Sequence, residues 1–127
     1  MKVLIKKKPR EYNSEKGWKK IDDKEYYFKS KWEYQYARFL QAAKRRGGIF
    51  DWLYEPQIFY FLQIKRGTRS YTPDFKVIFL DGTHCWIEVK GYMDAKSKTK
   101  LNRFKKYYPE EKISVVDSTY FKKNKKM

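Results

Sequence analysis

A tight turn between two apolar stretches is the feature that most constrains what this chain can fold into. Residues 71–80 and 84–90 are rich in β-branched and aromatic side chains, which are typical of strands. The pair Asp81-Gly82 separates them, and this dipeptide is typical of a β-hairpin. The two stretches are therefore predicted to be antiparallel neighbours in a sheet.

The length of the turn decides which side chains share a face of this hairpin. A three-residue loop that ends with a left-handed glycine pairs Phe79 with Thr83. Counting back from that pair sets Asp74 opposite Glu88, so both carboxylates lie on one face. A two-residue loop would move the register by one and set Asp74 opposite Val89. The sequence is compatible with the first arrangement because a glycine stands at the required position.

Lys90 joins this face because it lies two residues after Glu88 on the same strand. Charges in an apolar strand are costly to bury unless something pairs with them. Two converging carboxylates are hard oxygen ligands suited to Mg²⁺ or Mn²⁺, and a nearby lysine can activate water and neutralise phosphate charge. The alternative is an ordinary cross-strand ion pair between Asp74 and Lys90, with Glu88 in solvent on an open sheet face.

Helices are predicted on both sides of the hairpin. Residues 30–46 have apolar residues at helical spacing. Ser30 as N-cap and Glu33 three residues later form a capping-box pattern. Residues 94–108 are predicted as a second helix with an apolar stripe and a basic opposite face.

The other strands are predicted from short runs of aromatic and β-branched residues. Residues 17–29 are interpreted as an N-terminal hairpin, residues 57–65 as the first strand of the core and residues 112–116 as its last strand. The order is then a helix, a three-stranded antiparallel meander, a helix and a strand. This is a mixed α/β domain with a central sheet and helices packed against it.

The charge of the chain favours a polyanionic partner. The 127 residues include 31 Lys and Arg against 15 Asp and Glu, a formal net charge of +16, which favours nucleic acid. Residues 1–16 are predicted as a basic, flexible N-terminal segment, 17–116 as a single domain and 117–127 as a basic C-terminal tail. No apolar run approaches the about 20 residues that a membrane span needs. The single cysteine rules out an internal disulfide and a Cys-rich zinc module, and favours the cytoplasm.

The second predicted helix follows Lys90 closely and carries positive charge without opposing acids. These six residues are expected to track phosphates: Lys96, Lys98, Lys100, Arg103, Lys105 and Lys106. Tyr92, beside the proposed site, and Tyr107 are candidates for stacking on unpaired bases.

These motifs together resemble a known group of nucleases. Pro73-Asp74, followed on the next strand by Glu88-Val89-Lys90, resembles the PD-(D/E)XK motif, and the predicted element order resembles the restriction-endonuclease-like core of that superfamily. Over residues 17–116 the chain is most similar to a small phage and prophage family of Holliday-junction-resolvase-like endonucleases. In that family a basic hairpin leads into a Ser-Lys-x-Glu helix, here Ser30-Lys31-Trp32-Glu33.

The resemblance implies a metal-dependent endonuclease that hydrolyses DNA, with branched DNA such as Holliday junctions as substrate, in the host cytoplasm. Asp74 and Glu88 would bind Mg²⁺ or Mn²⁺, the Val89 carbonyl would be a further ligand, and Lys90 would be the catalytic lysine. Glu33 would be an acidic residue near the metal, unless it serves only the capping box. A homodimer would cut both strands of a junction symmetrically.

Other functions explain part of the sequence. A non-catalytic basic nucleic-acid-binding module on a nuclease-like fold needs the positive charge but not Asp74, Glu88 and Lys90 together. A structural basic protein explains the charge alone. His84 is interpreted as structural or exposed, and Cys85 as a buried small hydrophobe rather than a nucleophile.

Overall fold

The computed structural model describes residues 16–123. The expected basic segment 1–16 lies outside these residues except for its last residue. In chain order the elements are β1 (Gly17–Ile21), β2 (Lys24–Phe28), α1 (Lys31–Arg45), β3 (Asp51–Tyr54), β4 (Phe59–Tyr60), β5 (Ser70–Tyr71), β6 (Phe75–Ile78), β7 (His84–Val89), α2 (Ala95–Tyr107), β8 (Ile113–Val116) and α3 (Ser118–Lys123).

The predicted N-terminal hairpin is confirmed, with longer arms than expected. β1 and β2 are antiparallel, and Ile21 pairs with Lys24. The turn is therefore Asp22-Asp23 alone, and Asp22 has a positive φ of 57°, which Asp tolerates better than most residues do. The polar residues 22–25 predict a longer turn from sequence, but Lys24 and Glu25 belong to the second strand.

α1 is confirmed with the predicted start. Ser30 is its N-cap, and the Ser30 hydroxyl accepts a hydrogen bond from the Glu33 backbone N–H. The face that contains Tyr36 and Leu40 is buried, as the helical spacing predicts. α1 thereby covers one side of the sheet.

The central sheet has four strands in the order β3-β6-β7-β8. β3, β6 and β7 are antiparallel neighbours, and β8 is parallel to β7. A parallel neighbour needs a crossover connection, and here the crossover contains α2, whose N-cap is Asp94. The predicted second helix and last strand are thus confirmed.

The register between β6 and β7 is the one that a three-residue loop predicts. Ile78 pairs with His84 and Phe75 with Ile87, and the Phe79 N–H donates to the Thr83 carbonyl at 2.8 Å. Gly82 has a φ of +90°, which glycine adopts at little cost. The residue before Phe75 is Asp74 and the residue after Ile87 is Glu88, so the expected alignment is present.

The prediction that residues 57–65 form the first core strand is wrong. β3, at Asp51–Tyr54, occupies that place beside β6. Residues 57–65 contribute only β4, which pairs with β5 in a separate two-stranded ribbon. Pro56 comes just after β3 and Glu55 has a positive φ of 47°, so the chain turns away from the sheet before the apolar stretch begins. Gln57 is exposed and is not on a core strand.

Two hydrophobic clusters lie against the sheet. The larger contains α1, Phe28 of the hairpin and the inward side chains Phe75, Val77 and Ile87. The smaller contains Trp86 with Phe59, Phe61 and Phe104, among others. Since neighbouring residues of a strand point to opposite faces, Trp86 and Ile87 belong to different clusters. Phe59 and Phe61 of this stretch are therefore buried against Trp86 and α2 instead of forming a strand of the central sheet.

The C-terminal part of the chain differs from the expected tail. Residues 118–123 form α3, and Phe121 is buried against the larger cluster, where its ring stacks on Trp32 with centroids 4.6 Å apart. Residues 124–127 lie outside the described part. Within residues 16–123, no helix is long and apolar enough to cross a membrane. The fold is a mixed α/β domain with a multi-strand sheet and three helices.

Candidate active site

Asp74 and Glu88 lie at the end of the β6–β7 hairpin that is away from the turn. Both side chains are buried, with exposed fractions of 3% for Asp74 and 8% for Glu88. The Val89 backbone N–H donates to Asp74 Oδ2 at 2.8 Å, so the Asp74 carboxylate bridges the two strands where their paired register ends. The expectation of two carboxylates on one face is met.

Tyr71 and Lys90 hold the Glu88 carboxylate from two sides. The Tyr71 hydroxyl donates to Glu88 Oε1 at 2.5 Å. Lys90 Nζ lies 3.7 Å from Glu88 Oε2. The ion pair of Lys90 in this site is with Glu88, and Glu88 is buried, so the alternative of an Asp74–Lys90 pair beside a solvated Glu88 does not describe this arrangement.

The environment opposes ionisation of both carboxylates. Burial raises the pKa of Asp74 well above its usual value, and the nearby charges of Glu88 and Glu33 add to the effect. Burial also raises the pKa of Glu88, against the opposing effects of the Tyr71 hydrogen bond and of Lys90. Raised carboxyl pKa values in a cleft are typical of functional sites, where a bound cation relieves the repulsion.

Glu33 faces the same cleft from the first turn of α1, with an exposed fraction of 6%. Its Oε1 accepts hydrogen bonds from the Lys29 backbone N–H at 3.1 Å and from the Tyr54 hydroxyl at 2.6 Å. A standard capping box would instead direct this carboxylate to the backbone N–H of Ser30. Glu33 is thus held next to the N-terminus of α1 without the standard capping-box bond, and its charge also acts on Asp74.

Three residues of the site were not found from the sequence: Lys29, Tyr54 and Tyr71. Lys29 Nζ forms an ion pair with Glu55 at 2.5 Å and lines the cleft. Burial and the hydrogen bond to Glu33 raise the pKa of Tyr54, and burial with the charge of Glu88 raises that of Tyr71. Both tyrosines therefore stay protonated and act as hydrogen-bond donors. The available signal was weak, because Tyr54 and Tyr71 lie on short strands whose neighbours are distant in sequence.

A cleft of about 640 Å³ opens over these residues. It is lined by Lys29, Ser30, Trp32, Glu33, Tyr71, Thr72, Asp74, Glu88, Val89, Lys90, Gly91, Tyr92, Ser97, Lys100 and Leu101. A cleft of this size, with polar groups that converge at one end, is typical of ligand sites.

The structure brings only part of the predicted nucleic-acid surface to the cleft. Tyr92, which is 79% exposed, and Lys100 line it. Arg103 instead donates to the Thr68 carbonyl at 2.5 Å and ties α2 to the loop before β5. The other four predicted phosphate-binding residues are exposed on α2 outside the cleft lining: Lys96, Lys98, Lys105 and Lys106.

The Asp74 and Glu88 carboxylates are hard oxygen donors, of the kind that could hold a small divalent cation. Within residues 16–123 no three His, Cys, Asp or Glu side chains come together as a metal-binding group. Protein ligands would therefore be the Asp74 and Glu88 carboxylates and the Val89 carbonyl, with the remaining positions left to water or substrate. This is the usual arrangement for Mg²⁺, which keeps several waters and is bound through one or two carboxylates.

The residues interpreted as structural have structural contacts. His84 Nε2 lies 2.8 Å from Glu111 Oε1, and the Trp86 indole N–H donates to the same oxygen. Cys85 packs against the larger cluster, and burial raises the pKa of its thiol, which is the opposite of what a nucleophile needs. The Tyr107 ring stacks on Phe61, so this residue belongs to the smaller cluster rather than to a base-stacking surface.

Comparison with known proteins gives one match. A family model described as "Protein of unknown function (DUF1064)" matches residues 12–123, a range that includes both strands of the N-terminal hairpin and every residue of the cleft. No curated protein and no solved structure matches the chain.

Proposed function

The chain belongs to the DUF1064 family, and from the geometry of its cleft we propose that the protein is a metal-dependent endonuclease that hydrolyses phosphodiester bonds in DNA. The observation that carries this proposal is the pair of buried carboxylates, Asp74 and Glu88, beside Lys90 in an open cleft. Burial of two neighbouring acids is costly unless they are paired, hydrogen-bonded or bound to a ligand, and the single charge of Lys90 beside them does not balance two carboxylates. A cation with water and phosphate oxygens in its shell is the ligand that suits this donor set.

Each residue has a role that follows from its position. Asp74 and Glu88, with the Val89 carbonyl, would hold Mg²⁺ or Mn²⁺, which when bound stabilises charge on a phosphate and lowers the pKa of a water. Lys90, next to Glu88, would hold that water or neutralise phosphate charge. Glu33 would add negative charge at the edge of the site. Tyr71 fixes the orientation of Glu88 through its hydroxyl.

The topology supports the same proposal. The order α1, three antiparallel strands, α2 and a strand parallel to the third is the order expected of a restriction-endonuclease-like core. The candidate site lies on the second and third of these antiparallel strands, Asp74 just before β6 and Glu88 near the end of β7. This is where the PD-(D/E)XK resemblance places it, and branched DNA remains the substrate that the resemblance implies.

The charge of the chain supports DNA as the substrate. The formal net charge is +16, and exposed lysines of α2 lie on the element that follows the site. Such a surface binds phosphates without regard to base sequence. The buried acids repel DNA phosphates, so a role in catalysis explains them better than a role in DNA binding. The exposed α2 lysines are accordingly assigned to phosphate contacts and the acids to catalysis.

A cleavage assay tests the proposal. Four-way junction, flap, duplex and single-stranded DNA are each incubated with the protein in Mg²⁺, Mn²⁺ or EDTA. The parent protein should cut at least one substrate with metal and none in EDTA, and Asp74→Asn and Lys90→Ala should each lose cleavage. Asp81→Asn, which changes an exposed aspartate at the other end of the hairpin, is the matched control and should cut like the parent.

The outcomes separate catalysis from binding. Absence of cleavage of every substrate with both metals contradicts the proposal, and so does cleavage by Asp74→Asn and Lys90→Ala at the parent rate. Tight DNA binding without any cleavage by the parent would instead identify a non-catalytic basic binding module on this fold.

A further inference from the structure

An exposed pair of aromatic rings lies on the N-terminal hairpin. Trp18 is 66% exposed and Tyr27 is 45% exposed. The two residues are direct cross-strand partners, and their rings meet edge to face with centroids 5.5 Å apart and an interplanar angle of 77°. The two rings are therefore held against each other in the folded protein, although both remain exposed to solvent.

The core does not need these rings. Ile21 and Phe28 are the buried anchors of the hairpin, and Tyr26 packs on the same side, against Trp52. Since residues alternate between the faces of a strand, Trp18 and Tyr27 lie on the opposite, outer face. Large aromatic residues kept in solvent on the outer face of a hairpin are typical of a binding surface.

The cleft and a mixture of charges lie next to the pair. Lys20 is exposed and shares the outer face by strand alternation, together with its cross-strand partner Glu25, and the exposed Lys16 comes just before β1. Lys29, which lines the cleft, comes two residues after Tyr27, so the Cα atoms of these two residues are at most about 7 Å apart. The hairpin therefore leads from the aromatic pair directly to the wall of the proposed active site.

We propose that Trp18 and Tyr27 form a stacking platform for unpaired bases of a DNA strand that enters the cleft. Aromatic side chains near positive charge bind single-stranded DNA with little sequence preference, because any base can stack on an aromatic ring. A base-paired duplex keeps its π faces inside the stack, so this platform selects substrates with an unpaired segment, such as a flap or an opened branch point. The inference rests on the proposed function only in taking DNA as the partner.

Tyr92 lies on the same cleft and is 79% exposed. Tyr92 comes two residues after Lys90 in the chain, whereas Lys29 connects the hairpin to the wall of the cleft. Tyr92 is a second place where a base can stack.

DNA binding without metal tests the platform separately from catalysis. Fluorescence anisotropy in EDTA compares a labelled oligothymidylate with a blunt duplex of the same length. The double variant Trp18→Ala/Tyr27→Ala should bind the single strand about tenfold more weakly than the parent, as expected for loss of one stacked base, and should bind the duplex within about twofold, because phosphate contacts remain. Phe50→Ala is the matched control, since Phe50 is 63% exposed and lies beside Ile78, at the turn end of the sheet.

A spectroscopic readout reports stacking directly. Trp18 is much more exposed than Trp52 and Trp86, whose exposed fractions are 4% and 1%, so a stacked base should quench its emission. Trp32 also lines the cleft, so the stacking signal is the part of the quenching that Trp18→Phe removes. This variant should keep most of the affinity, because it retains a ring. This variant also shows that the hairpin still folds when Trp18 is changed.

The outcomes are distinct from those of the cleavage assay. The platform is refuted if the double variant binds the single strand like the parent, if single-strand and duplex affinities fall equally, or if the parent shows no quenching. Any of these results leaves the proposed nuclease function standing, provided that metal-dependent cleavage is seen. Binding of a protein partner, or self-association through Trp18, would likewise refute the stacking platform and would leave the proposed nuclease activity unaffected.

Discussion

The two ends of the β6–β7 hairpin each carry an aspartate, and the two aspartates have opposite surroundings. At the turn, Asp81 is exposed and accepts hydrogen bonds from the Thr83 hydroxyl and the Thr83 backbone N–H, at 2.6 and 3.0 Å. These bonds lower the pKa of Asp81. At the cleft, Asp74 is 3% exposed, and burial with neighbouring acids raises its pKa.

The difference separates residues that specify the fold from residues that serve a ligand. An ionised Asp81 is stabilised by the folded state, since its folded pKa lies below its unfolded value. An ionised Asp74 is opposed by the folded state for the opposite reason. An ionised aspartate therefore stabilises the folded state at the turn and destabilises it at the cleft. A carboxylate that destabilises the folded state is typical of a functional site, where binding or catalysis requires it.

The largest effect is expected when a carboxylate at the cleft end of the hairpin is replaced by a neutral amide. We expect Glu88→Gln to reduce cleavage at least about a hundredfold, because a metal ligand is lost, and to raise the melting temperature at pH 8, because a buried charge is lost. Asp81→Asn should leave the cleavage rate unchanged and should not raise the melting temperature. Initial rates on the best DNA substrate and thermal melts of both variants check this expectation, and a melting temperature that falls for Glu88→Gln would contradict it.

Metal should reverse the electrostatic effect at the cleft. The pKa values of Asp74 and Glu88 are raised, so the free energy of unfolding without metal falls as pH rises from the ordinary carboxyl range toward these values. Under the proposed function Mg²⁺ would bind the ionised carboxylates, so the stabilisation that it gives should increase over the same window. At a hundredfold excess over its Kd the gain is about 2.7 kcal/mol.

Thermal melts with and without Mg²⁺ at several pH values measure this gain. Asp74→Asn should lose most of it, and Asp81→Asn should keep it. A gain that is the same at every pH, or that Asp74→Asn retains, would place the metal elsewhere.

Tyr71 offers a smaller change at the same end. Tyr71→Phe removes the hydroxyl that donates to Glu88 Oε1 and leaves the ring in the smaller cluster. We expect Mn²⁺ or Mg²⁺ affinity, measured by calorimetry, to fall about 10- to 100-fold, as for other residues that orient a metal ligand. Tyr108→Phe, which removes a hydroxyl that donates to the Tyr60 carbonyl, is the control and should leave metal affinity unchanged.

The turn end can be perturbed without touching the cleft. Gly82 has a φ of +90° and open space around its Cα, so Gly82→Ala should lower the free energy of unfolding through backbone strain, by about 1 kcal/mol. Cleavage should remain within about twofold of the parent rate, since surface changes far from a site have small effects. Urea unfolding checks the first statement, with Gly48→Ala, whose backbone is not strained in this way, as control.

The part of the fold that the sequence predicts well is local. Gly82 and Asp81 determine the turn, the turn determines the register, and the register puts Asp74 and Glu88 on one face. Ser30 likewise marks the start of α1. Each of these depends on residues within a few positions of one another, so sequence patterns suffice.

The part that the sequence misses depends on partners far along the chain. β3 contains only Asp51–Tyr54 and is recognised as a strand through its pairing with β6, whereas residues 57–65 have the stronger β propensity but pack against α2. Tyr54 and Tyr71 reach Glu33 and Glu88, which lie 21 and 17 positions away. No local pattern reports such contacts, because tertiary packing decides them.

The hydrogen bond from the Val89 N–H to Asp74 Oδ2 also sets the spacing of two strand ends at the cleft. On its other side the Asp74 carbonyl accepts from the Glu55 N–H at 2.8 Å, so Asp74 is fixed to both neighbouring segments. The gap between the ends of two strands is thus spanned by one aspartate side chain, whose length is covalently set. A glutamate is longer by one methylene, so Asp74→Glu would keep the charge and change this spacing. Side-chain length at position 74, and not charge alone, therefore defines the geometry of this part of the cleft.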